Sequence, residues 1–465
     1  MRLGVLAKRK MFFDGAESAS FPTVLVAVCA IAIGLAMLRR ATAPLDVPVL
    51  TLSCNPKIAK YLPRLCTLKQ GHRPPLLHPT GFLQSRLANV SAPAPAVKGF
   101  VYEEIKLPAL DRPATTACCP TQVPPGVVSI SWLHHPDDNA PICLLIPGLT
   151  GDSSSPYIRR AAFALHEAGL RVGCFNPRGR GGNPLLSPFL YSAGYTEDLR
   201  RVVRHVRAGY PYASVSAAGY SLGASYLAKY VGEEGGECEL TSAACFACPT
   251  ALQACVRQLG ESLARRLIDR YALVPSVQRV MHQCLPVLRT AAGLDLEGAA
   301  RATSMEDFDG CTIAPMMGCS SAEHYYREAS SERVLAQARV PMLFLSARND
   351  PIAPAGTIKT EAFSAHADAP LLLAVTAEGG HSMTWAEGWR GLGRAWSVAV
   401  LLEWLQEVNA ATVGDAPFIA NGDVLSQVGG AERVASRAPR SRTDSLHARG
   451  EEGGDVGERM VTGGP

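Results

Sequence analysis

Gly219-Tyr220-Ser221-Leu222-Gly223 decides how this 465-residue chain is read. A strand-like run, Ser214 to Ala218, leads into the pentapeptide, and a helix-like run, Ala224 to Val231, leads out of it. Between a strand and a helix, G-x-S-x-G marks a turn that doubles back so tightly that Cβ atoms on its flanks would collide. Glycine avoids the collision, and the serine hydroxyl is pushed clear of the sheet edge. With 42 glycines in the chain the five letters alone carry modest weight. The strand-turn-helix setting supplies the rest; the alternative is an ordinary turn with Ser221 as a helix cap.

A serine hydroxyl needs a base, an orienting acid and a site for the developing oxyanion. Val340 to Ala347 reads as a buried parallel strand, and Arg348-Asn349-Asp350-Pro351 follows its carboxyl end, which makes Asp350 the candidate acid. An Asp before Pro is also a common turn opener. Leu371 to Thr376 reads as another apolar strand, and Glu378-Gly379-Gly380-His381 follows. Of eleven histidines, His381 alone follows a late apolar strand in a glycine loop, whereas His324 and His366 read as a loop and an exposed helix end. Serine, acid, histidine is the chain order of the α/β-hydrolase triad. The oxyanion donors of such a site are the amide after the nucleophile and one in a loop after an early strand. Leu222 takes the first position. Leu149, in Pro147-Gly148-Leu149-Thr150-Gly151 after the strand-like Pro141 to Ile146, takes the second, unless that loop is a plain β-to-α connection.

Several of these stretches, with Asn176-Pro177-Arg178-Gly179, Asn183-Pro184-Leu185-Leu186-Ser187-Pro188 and Thr196-Glu197-Asp198-Leu199, resemble in order the AB hydrolase 4 family of membrane-anchored α/β-hydrolases. Gly81-Phe82-Leu83-Gln84-Ser85 resembles that family's G-H-L-Q-T signature, and the similarity runs from residue 50 to 408. The resemblance implies an esterase or lipase of acylglycerols, phospholipids or short esters, with Ser221, Asp350 and His381 as its triad. The chain departs from the pattern at Phe82, where the family has His, and at Ser382 to Trp385, where it has a short apolar run. Relatives credited with acyl transfer carry an acid across four intervening residues from a histidine. Ala386 stands at that offset from His381, so the resemblance implies hydrolysis and leaves the acyl pocket open to change.

Composition agrees. A formal charge of +4 is small for this length and unclustered, so no nucleic-acid footprint is present. Fourteen cysteines are scattered as small buried hydrophobes, and Cys245-Phe246-Ala247-Cys248 reads as packing in a core strand rather than half of a zinc site. Phe21 to Leu38 is apolar and uncharged, about 27 Å as a helix, and is followed by Arg39-Arg40. That pattern predicts a retained single-pass membrane anchor rather than a cleaved signal. The expected organisation is an N-terminal tail (1–20), an anchor (21–38), an extended connector (39–98), an α/β-hydrolase domain (99–408) and a disordered tail (409–465). The domain is expected to hold a mostly parallel sheet flanked by helices. Ala251 to Leu288 has helical apolar spacing and no strand, which predicts a helical lid inserted at about 249–338.

The expected function is a serine carboxylic-ester hydrolase of lipid or short-chain esters, working at a membrane without metal or organic cofactor. The alternatives are a non-catalytic membrane scaffold or lipid-binding protein on the same fold, and a peptidase of the same superfamily. Asn89-Val90-Ser91 is a glycosylation sequon that reports topology. The many unpaired-looking cysteines favour a cytosolic catalytic domain.

Overall fold

The computed structural model divides the chain into two compact units, Met1–Gly429 and Gly430–Pro465. The residues it describes all lie in the first: positions 34, 38 and 42, then 44–413 without 53–54, 76–79, 91–98, 112–121, 365–366, 382–384, 386 and 388–394.

Eleven strands are present among them: β1 (Val49–Leu52), β2 (Val101–Leu107), β3 (Leu110–Asp111), β4 (Gln122–Val123), β5 (Gly126–Leu133), β6 (Ile142–Ile146), β7 (Arg171–Asn176), β8 (Val215–Tyr220), β9 (Ser242–Phe246), β10 (Met342–Ala347) and β11 (Leu371–Thr376). β3 and β4 form a small antiparallel pair, and the other nine make one sheet in the order β1-β11-β10-β9-β8-β6-β7-β5-β2. Neighbours from β11 through to β7 run parallel, while β1, β5 and β2 are antiparallel to their partners. The parallel strands read as short apolar runs because both faces are covered. In β10, Leu343, Leu345 and Ala347 enter one core with helices Pro156–Glu167 and Trp396–Val413. Met342 and Phe344 enter the other, with helices Glu197–Gly209 and Leu222–Glu234.

The strands expected over Pro141–Ile146, Val340–Ala347 and Leu371–Thr376 are found as β6, β10 and β11 within two residues at either end, and the helix expected over Ala224–Val231 extends to Leu222–Glu234. The strand expected over Ser214–Ala218 continues to Tyr220, as far as the serine itself. Between β9 and β10 the chain is helical. Helix Leu252–Glu261 is followed after Ser262 by helix Leu263–Ile268, a π-helical turn joins that to helix Val274–Leu288, and shorter helices run on to Ala322–Ala329. This insertion has its own apolar core, shared with Phe189 and Tyr195 of the sheet domain.

The expected connector over 39–98 is corrected. β1 adds to the sheet edge against β11, Val49 opposite Val375 and Leu52 opposite Leu372. Short helices behind it bury Ile58, Leu65 and Leu68, and a longer helix follows at Gly81–Val90. A strand of four residues and helices of four or five are too short to show a hydrophobic period, so only their partners reveal them. The expected anchor lies outside the described residues apart from Gly34 and Leu38. No described helix is long and apolar enough to cross a membrane. The closing helix runs to Val413, beyond the expected tail boundary, and the rest of that tail is outside the described residues.

Two sequence motifs meet beneath the sheet's upper edge. Arg178 of N-P-R-G donates through Nε and Nη2 to both carboxylate oxygens of Asp198 of T-E-D-L, at 2.7 and 2.9 Å, and through Nη1 to the Pro124 carbonyl at 3.2 Å. Both side chains are buried. Removing one partner strands the other charge away from water. Asp198→Ala should therefore lower unfolding free energy by about 3–5 kcal/mol in urea titration. A loss below about 1 kcal/mol would mean that the guanidinium finds another partner or solvent.

Candidate active site

Ser221 lies between β8 and helix Leu222–Glu234 with φ 54° and ψ −120°, a backbone conformation that side-chain-bearing residues rarely adopt. Its amide donates to the Phe246 carbonyl of β9 at 2.8 Å, which ties the turn to the neighbouring strand. The flanking glycines have a steric reason. A Cβ on Gly219 would sit 2.6 Å from the Gly223 carbonyl oxygen, and one on Gly223 would sit 2.3 Å from that of Pro147. The helix therefore packs directly on the backbone at the end of β6.

The three residues expected to act together meet. Ser221 Oγ is 2.7 Å from His381 Nε2, and His381 Nδ1 is 2.8 Å from Asp350 Oδ2. The other Asp350 oxygen accepts the Ile352 and Ala353 amides, each at 2.8 Å. Asp350 is 1% and His381 7% exposed. An acceptor at Asp350 holds the ring proton on Nδ1 and leaves Nε2 to accept from the serine hydroxyl. Each member follows the carboxyl end of a parallel strand: β8, β10 and β11. The order β8-β6-β7 reverses chain direction at β6, and open α/β sheets bind ligands in the crevice above such a reversal.

Leu149 and Leu222 lie on opposite lips of that crevice and line the same cavity as Ser221 and His381. Leu222 opens its helix, where the first amides have no intrahelical acceptor. The loop carrying Leu149 is held by the Gly148 amide, which donates to the Tyr157 hydroxyl at 2.8 Å, and it turns through Thr150 at φ 59°. The cavity, of about 300 Å³, is mostly apolar. Its far wall is the insertion, through Leu252, Val256, Leu259, Val277 and Phe308, and its few polar groups include Arg180 and Asp309.

Reading the motifs one by one misses what Gly81–Val90 does. Gln84 Oε1 accepts from the Gly379 amide at 2.9 Å and from Asn349 Nδ2 at 3.1 Å, while its Nε2 donates to Glu378 at 2.8 Å. Ser85 Oγ accepts the His381 amide at 2.6 Å. Asp46, further upstream, accepts the Ala377 and Glu378 amides. The signature-like G-F-L-Q-S is the one sequence signal that points to these contacts, and it says nothing of its partner. Cys245, in β9, and Cys248, just past its end, are both buried thiols. Cys319 departs from the reading of the cysteines as small buried hydrophobes, since it is disulfide-bonded.

Asp309 is a second buried carboxyl on the cavity wall. Burial pushes its pKa up to about 7, against a 2.8 Å hydrogen bond from the Tyr326 hydroxyl, and the nearby Asp269 adds repulsion. In the unfolded chain the group ionises near pH ~4, so between there and about 7 the folded state keeps a proton that the unfolded state has lost. Stability contributed at this site thus falls as pH rises through the window. Asn cannot ionise and still accepts from Tyr326, so the melting temperature of Asp309→Asn relative to the parent should climb between pH 4 and 8. An offset constant with pH would show that Asp309 is already ionised in the fold.

No protein-family model matches the chain. Several curated proteins are similar to it, three of them as follows. The embryogenesis-associated protein EMB8 of Picea glauca is 30% identical over 60% of this chain and 64% of its own length. Phospholipase ABHD3 of Mus musculus is 34% identical over 55% and 63%. Monoacylglycerol lipase of Saccharomyces cerevisiae is 29% identical over 58% and 60%. The chain thus spans a little under two thirds of the length of these relatives.

Proposed function

We propose that this chain, which belongs to the α/β-hydrolases, is a serine carboxylic-ester hydrolase of lipid esters, acylglycerols or phospholipids, or of short-chain esters. One observation carries the reading: an unbroken hydrogen-bonded relay from Asp350 through His381 to Ser221 on the floor of an apolar cavity. A phospholipase and a monoacylglycerol lipase among the similar proteins support the substrate class.

In this reading Ser221 Oγ attacks the ester carbonyl as His381 Nε2 takes its proton, and Asp350 stabilises the imidazolium that forms. The amides of Leu149 and Leu222 receive the oxyanion, each such donor being worth roughly 10²–10³-fold in rate. His381 returns the proton to the departing alcohol, and water then releases the acyl group by the reverse path. The insertion acts as the lid. It closes the cavity over the serine and provides the groove for the acyl chain, while Phe21 to Leu38 holds the domain at the membrane that contains its substrate. An intact relay has no purpose in a non-catalytic scaffold. The apolar cavity suits an acyl chain better than a peptide, which needs backbone partners along its length.

A fluorophosphonate probe should label the native chain and leave Ser221→Ala unlabelled, and equal labelling of the two would end the serine-hydrolase reading. Asp350→Asn should fold and turn over about 10⁴-fold more slowly, because the wrong tautomer is then held. His381→Ala combined with Ser221→Ala should cost little more than either alone.

The side of the membrane is open to a direct test. Unpaired thiols favour the cytosol, and the disulfide at Cys319 favours an oxidising compartment. Glycosidase treatment of the membrane-borne protein leaves mobility unchanged if the domain is cytosolic. A shift lost in Asn89→Gln places it on the lumenal or outer side.

A further inference from the structure

We infer that Gln84 and Ser85 are positioning residues for the reaction: they clamp the loop that carries His381 to the loop that carries Asp350. The inference rests on the serine-hydrolase reading and deepens it.

The need for a clamp is written in the backbone. His381 is delivered by Gly379 and Gly380, with φ of 156° and 61°, and paired glycines leave a loop with many conformations of similar energy. A relay with hydrogen bonds of 2.7 and 2.8 Å requires one of them. Three contacts select it. Gln84 Oε1 bridges the Gly379 amide and Asn349 Nδ2, and Asn349 Oδ1 in turn accepts the Gly380 amide at 2.8 Å, which closes a ring across the two loops. Ser85 Oγ accepts from the His381 amide and donates a hydrogen bond to the Gly81 carbonyl at 2.5 Å. The helix start is also wedged in sterically. A Cβ on Gly380 would lie 2.2 Å from the Gly81 carbonyl oxygen, and one on Gly81 would lie 1.9 Å from that of Asn349.

Asn349 immediately precedes the acid, and the glycines immediately precede the base, so Gln84 sets the distance between the two side chains without touching either. Gln84 is 2% exposed, and neither it nor Ser85 lines the cavity, so they act on the relay and not on substrate. The side chain is specified closely. A shorter Asn cannot span both loops, and a Glu loses the donor to Glu378 and faces it with like charge.

The test uses the full chain in its membrane or detergent and follows both the rate and the end point of fluorophosphonate labelling, together with ester turnover. Gln84→Met keeps the volume and removes all three hydrogen bonds, and Ser85→Ala removes the hydroxyl. Ser85→Thr restores the hydroxyl. A relay displaced by about 1 Å loses roughly 10²-fold in rate. Gln84→Met should label about 30- to 100-fold more slowly yet reach the parent's end point, with kcat reduced alike and KM within about threefold. Ser85→Ala should lose about 10-fold, and Ser85→Thr should stay within about threefold of the parent. Parent-like labelling rates in Gln84→Met and Ser85→Ala would overturn the inference. So would an end point that falls in step with activity, because that pattern is loss of folded protein and not loss of alignment. A parent chain that takes no label would overturn the serine-hydrolase reading itself, and this inference with it.

Discussion

The close approach of helix Leu222–Glu234 to the end of β6 sets the geometry of everything above the sheet. Gly223 meets the Ile146 and Pro147 carbonyls at distances no side chain could share, and Gly219 meets the helix that follows it. Bringing a helix that near to a strand forces the intervening residue into a positive φ, and that residue is Ser221. The hydroxyl thereby stands proud of the sheet, and the first amides of the helix lie beside the loop that ends in Leu149. Strain at one residue is held by packing on both sides of it, the arrangement in which backbone strain survives.

Much of this was legible in the residues because it is local. Parallel strands buried on both faces are apolar runs of five or six, and the turn residues after β6, β8, β10 and β11 mark their carboxyl ends. Ser221, Asp350 and His381 could be placed because each follows such a run, and the fold brings the ends of parallel strands together. What was not legible is what depends on pairing at a distance. β1 is four residues long and is a strand only because β11 lies beside it. Gln84 reads as a polar residue of an extended connector until its partners Asn349 and Gly379 are known. Asp309 lies in M-E-D-F-D-G, where nothing local marks it out, and it is buried only because the insertion folds onto the cavity.

The insertion and the sheet divide the work of the cavity. The sheet domain supplies the reactive groups from loops at strand ends and their polar supports in part from helix Gly81–Val90, and the insertion supplies much of the apolar wall. The two are joined through Phe189 and Tyr195 on the sheet side and the Tyr325–Tyr326 pair on the other. Leu252, Val256 and Leu259 lie on one face of helix Leu252–Glu261, so a change of residue there alters the shape of the groove without touching the relay. Such a separation lets the shape of the groove vary while the geometry of the relay stays fixed.

The hydrogen bond from Gly379 to Gln84 spans 295 residues of chain, and that from Glu378 to Asp46 spans 332. Contacts at such separations form late, because the entropy of closing a long loop must be met before they contribute. On a ribosome the segment around Gln84 emerges long before the histidine loop exists, and it waits without its partner while the sheet is laid down. The last strand, β11, brings the loop and the waiting segment together, and only then does the diglycine hinge have one conformation. A nascent chain can therefore hold a complete serine turn and still lack the relay, which closes only once the loop after β11 has formed.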